Sequence, residues 1–197
     1  MNRSCLLCGV GGQGTVLASR VLAAAAMERG LFARTAETIG MAQRGGSVVS
    51  HVRFGTEIYS PMIAPGGADV LIGSEPGEAV RNLAYLRPDG LAVVCDRAVF
   101  PVVAALGGGS YDGEAMLAYL EKRAARLIIL RAADVEKACG TLKTLNIALL
   151  GAAVASGALG IPAEAAAKAL AARVKPAYLE LNLNALSFGA KKAGECP

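Results

Sequence analysis

An apolar run from about Ser4 to Val10 ends in Gly9-Val10-Gly11-Gly12-Gln13-Gly14, and a helix-forming stretch opens at Thr15. No other feature limits the fold as strongly. A buried strand that breaks at glycines into a helix is the first half of a β-α-β unit. Glycines let the backbone take positive φ and approach a ligand closely. The helix start then offers N–H groups and about half a positive charge to an anion. Leu17, Val21, Leu22 and Ala25 form an apolar stripe on a helix from about Thr15 to Arg29, and Gly30 supplies its stop. Leu31 to Glu37 reads as a second strand, with Glu37 about where a ribose-binding acid sits. Two readings stand open on these residues. One is a stand-alone NAD(P)- or flavin-binding Rossmann oxidoreductase using Gly9, Gly11, Gly14 and Glu37. The other is a tight strand–helix turn at a subunit interface.

Further along, Thr38 to Gly46 is a loop, and Ser47 to Phe54 is a β-branched, partly alternating strand. Gly55-Thr56 is expected to turn it back through Glu57-Ile58-Tyr59 as a hairpin. Asp69–Gly73 is a buried strand, with Pro76 starting the next helix. Arg87-Pro88-Asp89-Gly90 reads as a turn before the strand Leu91–Asp96, and Phe100 to Ala105 as a short edge strand. Gly107-Gly108-Gly109 is a connection, Glu114–Arg123 a helix and Arg126–Arg131 the last strand. Helices follow over Leu142–Ala155, Pro162–Ala172 and about Ala177–Lys191. The pattern is α/β: a three-layer Rossmann-like sandwich with a mixed, mostly parallel sheet and a helical C-terminal part. No linker splits it, so residues 1–197 read as one domain, an α/β core to about 133 and a helical tail from about 134.

A second glycine-rich segment, Gly40-Met41-Ala42-Gln43-Arg44-Gly45-Gly46-Ser47, sets Arg44 beside two glycines. Backbone N–H groups with a guanidinium fork suit a carboxylate, a pyrophosphate or an acidic group of a partner. A surface loop with one solvated arginine has the same sequence. His51 lies on a strand between Ser50 and Val52 and reads as packed and hydrogen-bonded. Asn146 and Asn182 fall on helices, where asparagine is a poor former, so each is expected to make a specific hydrogen bond.

The five cysteines limit the chemistry further. Cys5 and Cys8 share a strand, about 10 Å apart at about 3.3 Å per residue, and point to opposite faces. That exceeds disulfide reach. Cys95, Cys139 and Cys196 are isolated, whereas an iron–sulfur cluster needs about four closely spaced thiolates. Neither a cluster nor a zinc site is expected, and unpaired thiols suit a reducing cytoplasm. Thr144 to Ala163 carries no charge, but its glycines and Pro162 mark a buried helix rather than a membrane span. The N-terminus carries no secretory signal. Net charge is +4 with scattered basic residues, 5% aromatics and no Trp, which argues against nucleic acid. Charged residues make up only 18%, against about 25% in a typical domain. Such a composition fits a partner-covered surface or simply alanine- and glycine-rich helices.

Taken together, Gly9-Val10-Gly11-Gly12-Gln13-Gly14 with Ala18-Ser19, and Thr38 through Arg53, resemble the gamma-type domain of 2-oxoacid:ferredoxin oxidoreductases, most closely the indolepyruvate branch. The likeness continues in order to the tail around Asn146 and Glu180-Leu181-Asn182. It implies an accessory subunit, inactive alone, of an enzyme of anaerobic metabolism. That enzyme oxidatively decarboxylates an aryl pyruvate to an acyl-CoA and passes two electrons to ferredoxin. Thiamine diphosphate and the iron–sulfur clusters would belong to the large partner subunit, so this chain would bind none of them. Coenzyme A would be a co-substrate at the interface. The resemblance gives this domain no firmly placed catalytic residue. The ligand- or partner-binding candidates are therefore the motif positions Gly9, Gly11, Gly12, Gln13, Gly14, Gln43, Arg44, Gly45 and Gly46. The Gln43–Gly46 loop is expected to face the partner's active-site mouth.

Overall fold

A computed structural model describes residues 2–39, 45–100 and 110–195. Six strands form one sheet: β1 (Arg3–Val10), β2 (Phe32–Ile39), β3 (Ser47–Gly55), β4 (Ala68–Gly73), β5 (Leu86–Cys95) and β6 (Arg126–Leu130), in the order β2-β3-β1-β4-β5-β6. β1, β4, β5 and β6 are parallel, with Leu6 opposite Leu71 and Val93 opposite Ile128. Parallel strands covered on both faces read as unbroken apolar runs, and Leu91 to Cys95 is buried throughout.

β3 runs antiparallel between β1 and β2, with Leu6 and Ala36 both opposite His51. This overturns the expected hairpin. Both edges of β3 are already paired, so Glu57–Tyr59 has no edge to join and forms no strand. The expected turn at Arg87–Gly90 is also corrected: those residues lie within β5 as an irregularity, between the pairs Ala68–Leu86 and Val70–Leu91. The cause is Asp69, which draws in Arg87 at 2.5 Å and Arg3 at 2.9 Å and accepts from the Ser4 amide at 2.8 Å. Phe100 is not in a strand, and 101–105 and 107–109 lie outside the described residues.

The helices are α1 (Thr15–Glu28), α2 (Pro76–Asn82), α3 (Gly113–Arg123), α4 (Ala132–Cys139), α5 (Leu145–Ala155), α6 (Ala163–Ala171) and α7 (Pro176–Gly194). Helices α1 and α4 to α7 cover one face of the sheet around Leu7, Val52 and Ile72. The other face, around Leu6, Cys8 and Leu71, packs against α2 and α3. Thus the helical tail builds one layer of the sandwich. α5 is buried from Leu145 to Val154, with α7 laid against it. A Cβ at Gly151 would overlap the Leu186 carbonyl, and one at Gly189 the Ala148 carbonyl, so the two backbones touch. Asn182 donates to the Tyr178 carbonyl at 2.8 Å, the bond expected of it. Among the described residues no single helix is long and apolar enough to cross a membrane.

Candidate functional site at the β1–β4 switch point

After β1 the chain leaves to one face of the sheet as α1, and after β4 it leaves to the other as α2. Two adjacent parallel strands that diverge in this way open a crevice at their C-terminal ends. The first glycine segment lines one side of it, and Ser74, Glu75 and Glu78 line the other.

Gly12 and Gly14 have φ of 100° and 78°, which only glycine adopts without strain. Gln13 folds back over Gly9: its Oε1 accepts from the Val10 amide at 2.7 Å, and its Nε2 donates to the Ser74 carbonyl at 3.2 Å. A Cβ at Gly9 would lie 2.6 Å from that Oε1. Gln13 therefore bridges the crevice from β1 to β4. Asn146, buried on α5, donates to the Gly14 carbonyl at 2.9 Å and so ties the tail to the start of α1.

The second glycine segment comes to the same place. The Gly11 amide donates to the Gly46 carbonyl at 2.8 Å, beside Gly45 at φ 79°. Ser47 Oγ donates to Glu78 Oε2 at 2.6 Å. The structure thus brings Gly9, Gly11, Gly12, Gln13 and Gly14 together with Gly45 and Gly46, while Gln43 and Arg44 lie outside the described residues.

Glu75 and Glu78, 3% and 7% exposed, went unnoticed in the sequence. Glu75 caps α2 through the Glu78 amide at 2.8 Å. Its other oxygen accepts from the Tyr111 hydroxyl and from the Val99 amide at 3.3 Å. Tyr111 in turn accepts from the Gly77 amide at 3.0 Å, and its hydroxyl is pushed up by burial and by Glu75. The signal was present: an acid before Pro76 with a second acid three residues on is a capping pattern.

These two buried carboxylates disfavour the dinucleotide reading, because a pyrophosphate at this crevice would face like charge. Glu37, its would-be ribose ligand, sits on β2, separated from β1 by β3, and takes a hydrogen bond from Ser19 at 3.3 Å with Arg20 at 3.9 Å. His51 is buried as expected: Nδ1 accepts from the Ile63 amide at 3.2 Å, the ring meets Tyr85 edge-on, and burial lowers its pKa.

Among the described residues the cysteines do not fit an iron–sulfur cluster. Cys5 and Cys8 face opposite cores, and burial pushes both thiols up, with Asp69 adding to the first and Glu78 to the second. The Cys95 thiol is pushed up to about 12, also by burial. A thiolate ligand needs the reverse.

A family model described as pyruvate ferredoxin/flavodoxin oxidoreductase matches residues 4–192. The chain is 35% identical to indolepyruvate oxidoreductase subunit IorB of Archaeoglobus fulgidus, over 98% of this chain and 96% of that one. Against the subunit of the same name from Pyrococcus horikoshii the identity is 33%, over 96% and 95%. In fold it is similar to the gamma subunit of a keto/oxoacid ferredoxin oxidoreductase from Geobacter sulfurreducens, with a TM-score of 0.73 at 24% identity over 100% of this chain and 98% of that one. A TM-score of 0.73 at 18% identity relates it to 2-oxoglutarate:ferredoxin oxidoreductase from Magnetococcus marinus, solved with 2-oxoglutarate, coenzyme A and succinyl-CoA bound; all of this chain aligns with 32% of that one. With the match running from the first strand into the last helix, the chain belongs to the pyruvate ferredoxin/flavodoxin oxidoreductase family.

Proposed function

We propose that this chain is the accessory subunit of a cytoplasmic 2-oxoacid:ferredoxin oxidoreductase and is inactive alone. Its large partner subunit holds thiamine diphosphate and the iron–sulfur clusters. The holoenzyme converts an aryl pyruvate such as indolepyruvate, with coenzyme A, to the acyl-CoA and carbon dioxide, and two ferredoxins take the electrons. The observation that carries this reading is the 35% identity over nearly the full length of an indolepyruvate oxidoreductase subunit.

Within that assembly, the Gln43–Gly46 loop faces the partner's active-site mouth. The Gly11–Gly46 bond and the Ser47–Glu78 bond anchor its downstream end, which supports this role. Arg44 is the cation suited to a coenzyme A phosphate or the substrate carboxylate. Glu75 and Glu78 hold the anchor and keep anions out of the crevice behind it.

The test is an anaerobic preparation of the complex, assayed for dye reduction with indolepyruvate and coenzyme A. Activity is expected only with the partner present. Arg44→Ala in the assembled enzyme is expected to raise the apparent KM for coenzyme A or the 2-oxo acid about tenfold, the scale of one lost charged contact. Unchanged kinetics in an intact complex rejects the role given to Arg44.

A further inference from the structure

β6 ends the sheet on its parallel side, and among the described residues only β5 pairs with it. Its sequence is Arg126-Leu127-Ile128-Ile129-Leu130, followed by Arg131. Proteins blunt sheet edges with prolines, bulges or inward-pointing charges, because a flat edge offers a row of backbone donors and acceptors to another strand. β6 has none of these devices, and its register against β5 is regular.

Grooves run along both sides of this strand. The α3 side is lined by Glu121, Ala124, Leu127, Ile129 and Arg131. On the α7 side, one depression is lined by Arg126, Ile128, Ser156 and Ala193, and another by Leu130, Asp134, Phe188 and Lys192. Side chains of a strand alternate between faces. A seventh strand added here would place successive side chains in the two sets of grooves in turn, whereas a helix would fill one face only.

Charge narrows the occupant. Arg126 and Arg131 bracket the apolar stretch, and neither has a salt-bridge partner among the described residues. Asp89 feels Arg126 but is already paired with Arg87 at 2.7 Å. A second copy of this chain fits poorly. Pairing two β6 edges across a two-fold centred on Ile128 or Ile129 sets each arginine opposite a leucine or alanine of the other copy, so neither Arg126 nor Arg131 meets an acid.

We propose that the outer edge of β6 accepts an extended strand of another polypeptide, apolar at its centre and carrying a carboxylate at each end, as the seventh strand of the sheet.

The test compares amide hydrogen exchange over Leu127–Arg131 in the chain alone and in the complex purified anaerobically from the native host. A photo-cross-linking group in place of Leu127 identifies the neighbouring segment. At least tenfold slower exchange in the complex is expected, with a cross-link to an extended, acid-flanked apolar segment. Reversing the edge charges (Arg126→Glu with Arg131→Glu) is expected to weaken assembly at low salt about tenfold or more. The lysine pair (Arg126→Lys with Arg131→Lys) should assemble normally. Equal exchange in both states, a cross-link to a helix or basic segment, or protection that tracks dimerisation of this chain alone overturns the proposal. So does a chain that purifies alone with this edge in fast exchange. Iron content and 2-oxoacid-dependent dye reduction report separately on the subunit reading, so the two fail independently.

Discussion

The two edges of the sheet meet water in opposite ways. β2 is the longer, eight residues against five in β6, yet it carries Arg34, Thr35, Glu37 and Thr38 along its length. Glu37 is tied back to Ser19 and Arg20 on α1. β6 presents Leu127 to Leu130 without a polar side chain and keeps its charges at the ends. Length and openness therefore do not decide which edge invites a partner. Charge along the strand does: β2 is built to remain solvated, and β6 to be covered.

Truncating each edge gives the largest contrast. Leu130 is 1% exposed and Phe32 is 60% exposed. Leu130→Ala is expected to cost about 2–5 kcal/mol in urea unfolding, the range for buried leucines. Phe32→Ala should stay within about 0.5 kcal/mol. Equal costs would break the contrast. Acid sharpens it next. Burial holds the pKa of His51, on the strand behind β2, below its ordinary 6.5. As pH falls through about 6.5 the unfolded chain takes up a proton before the folded chain does, so stability present above that pH is lost below it. Amide protection factors, which correct for the slower intrinsic exchange in acid, should fall in β2 and β3 between about pH 7.5 and pH 5 more than in β5 and β6, and His51→Gln should remove the difference. A pH response shared equally by both halves would assign it to another group. The smallest effect is that of Glu37→Gln, within about 0.5 kcal/mol because its cation is exposed. A loss above about 1 kcal/mol in the same urea titration would give Glu37 a structural role beyond guarding the edge.

How much of this was legible in the sequence depended on the range of the interactions involved. The β1–glycine–α1 unit could be read directly, since apolar run, glycines and helical stripe are all local signals. Asn146 could be flagged but not placed, because its partner, the Gly14 carbonyl, lies 132 residues away. β3 was recognised as a strand, but Gly55-Thr56 suggested the wrong neighbour. Pairing on both sides with β1 and β2 is a non-local choice that no turn residue encodes. Arg87-Pro88-Asp89-Gly90 had the composition of a turn, and Asp69 overrode it from a neighbouring strand. At the site, the two glycine segments were evident as separate motifs, and the bond joining Gly11 to Gly46 was not. Glu75 and Glu78 resembled an ordinary cap and first-turn acid, and only the fold revealed them as buried beside the crevice.

The touching backbones at Gly151 and Gly189 bear on how the chain folds as it is made. Apart from Asn146, α5 is apolar on every side, and its last cover is α7. During synthesis the sheet and α1 emerge first and begin to collapse, since chains fold from the N-terminus as they leave the ribosome. α5 then waits with one flank bare until about residue 189 is free to reach it. Until α7 docks, that flank is a greasy surface open to chaperones and to other chains.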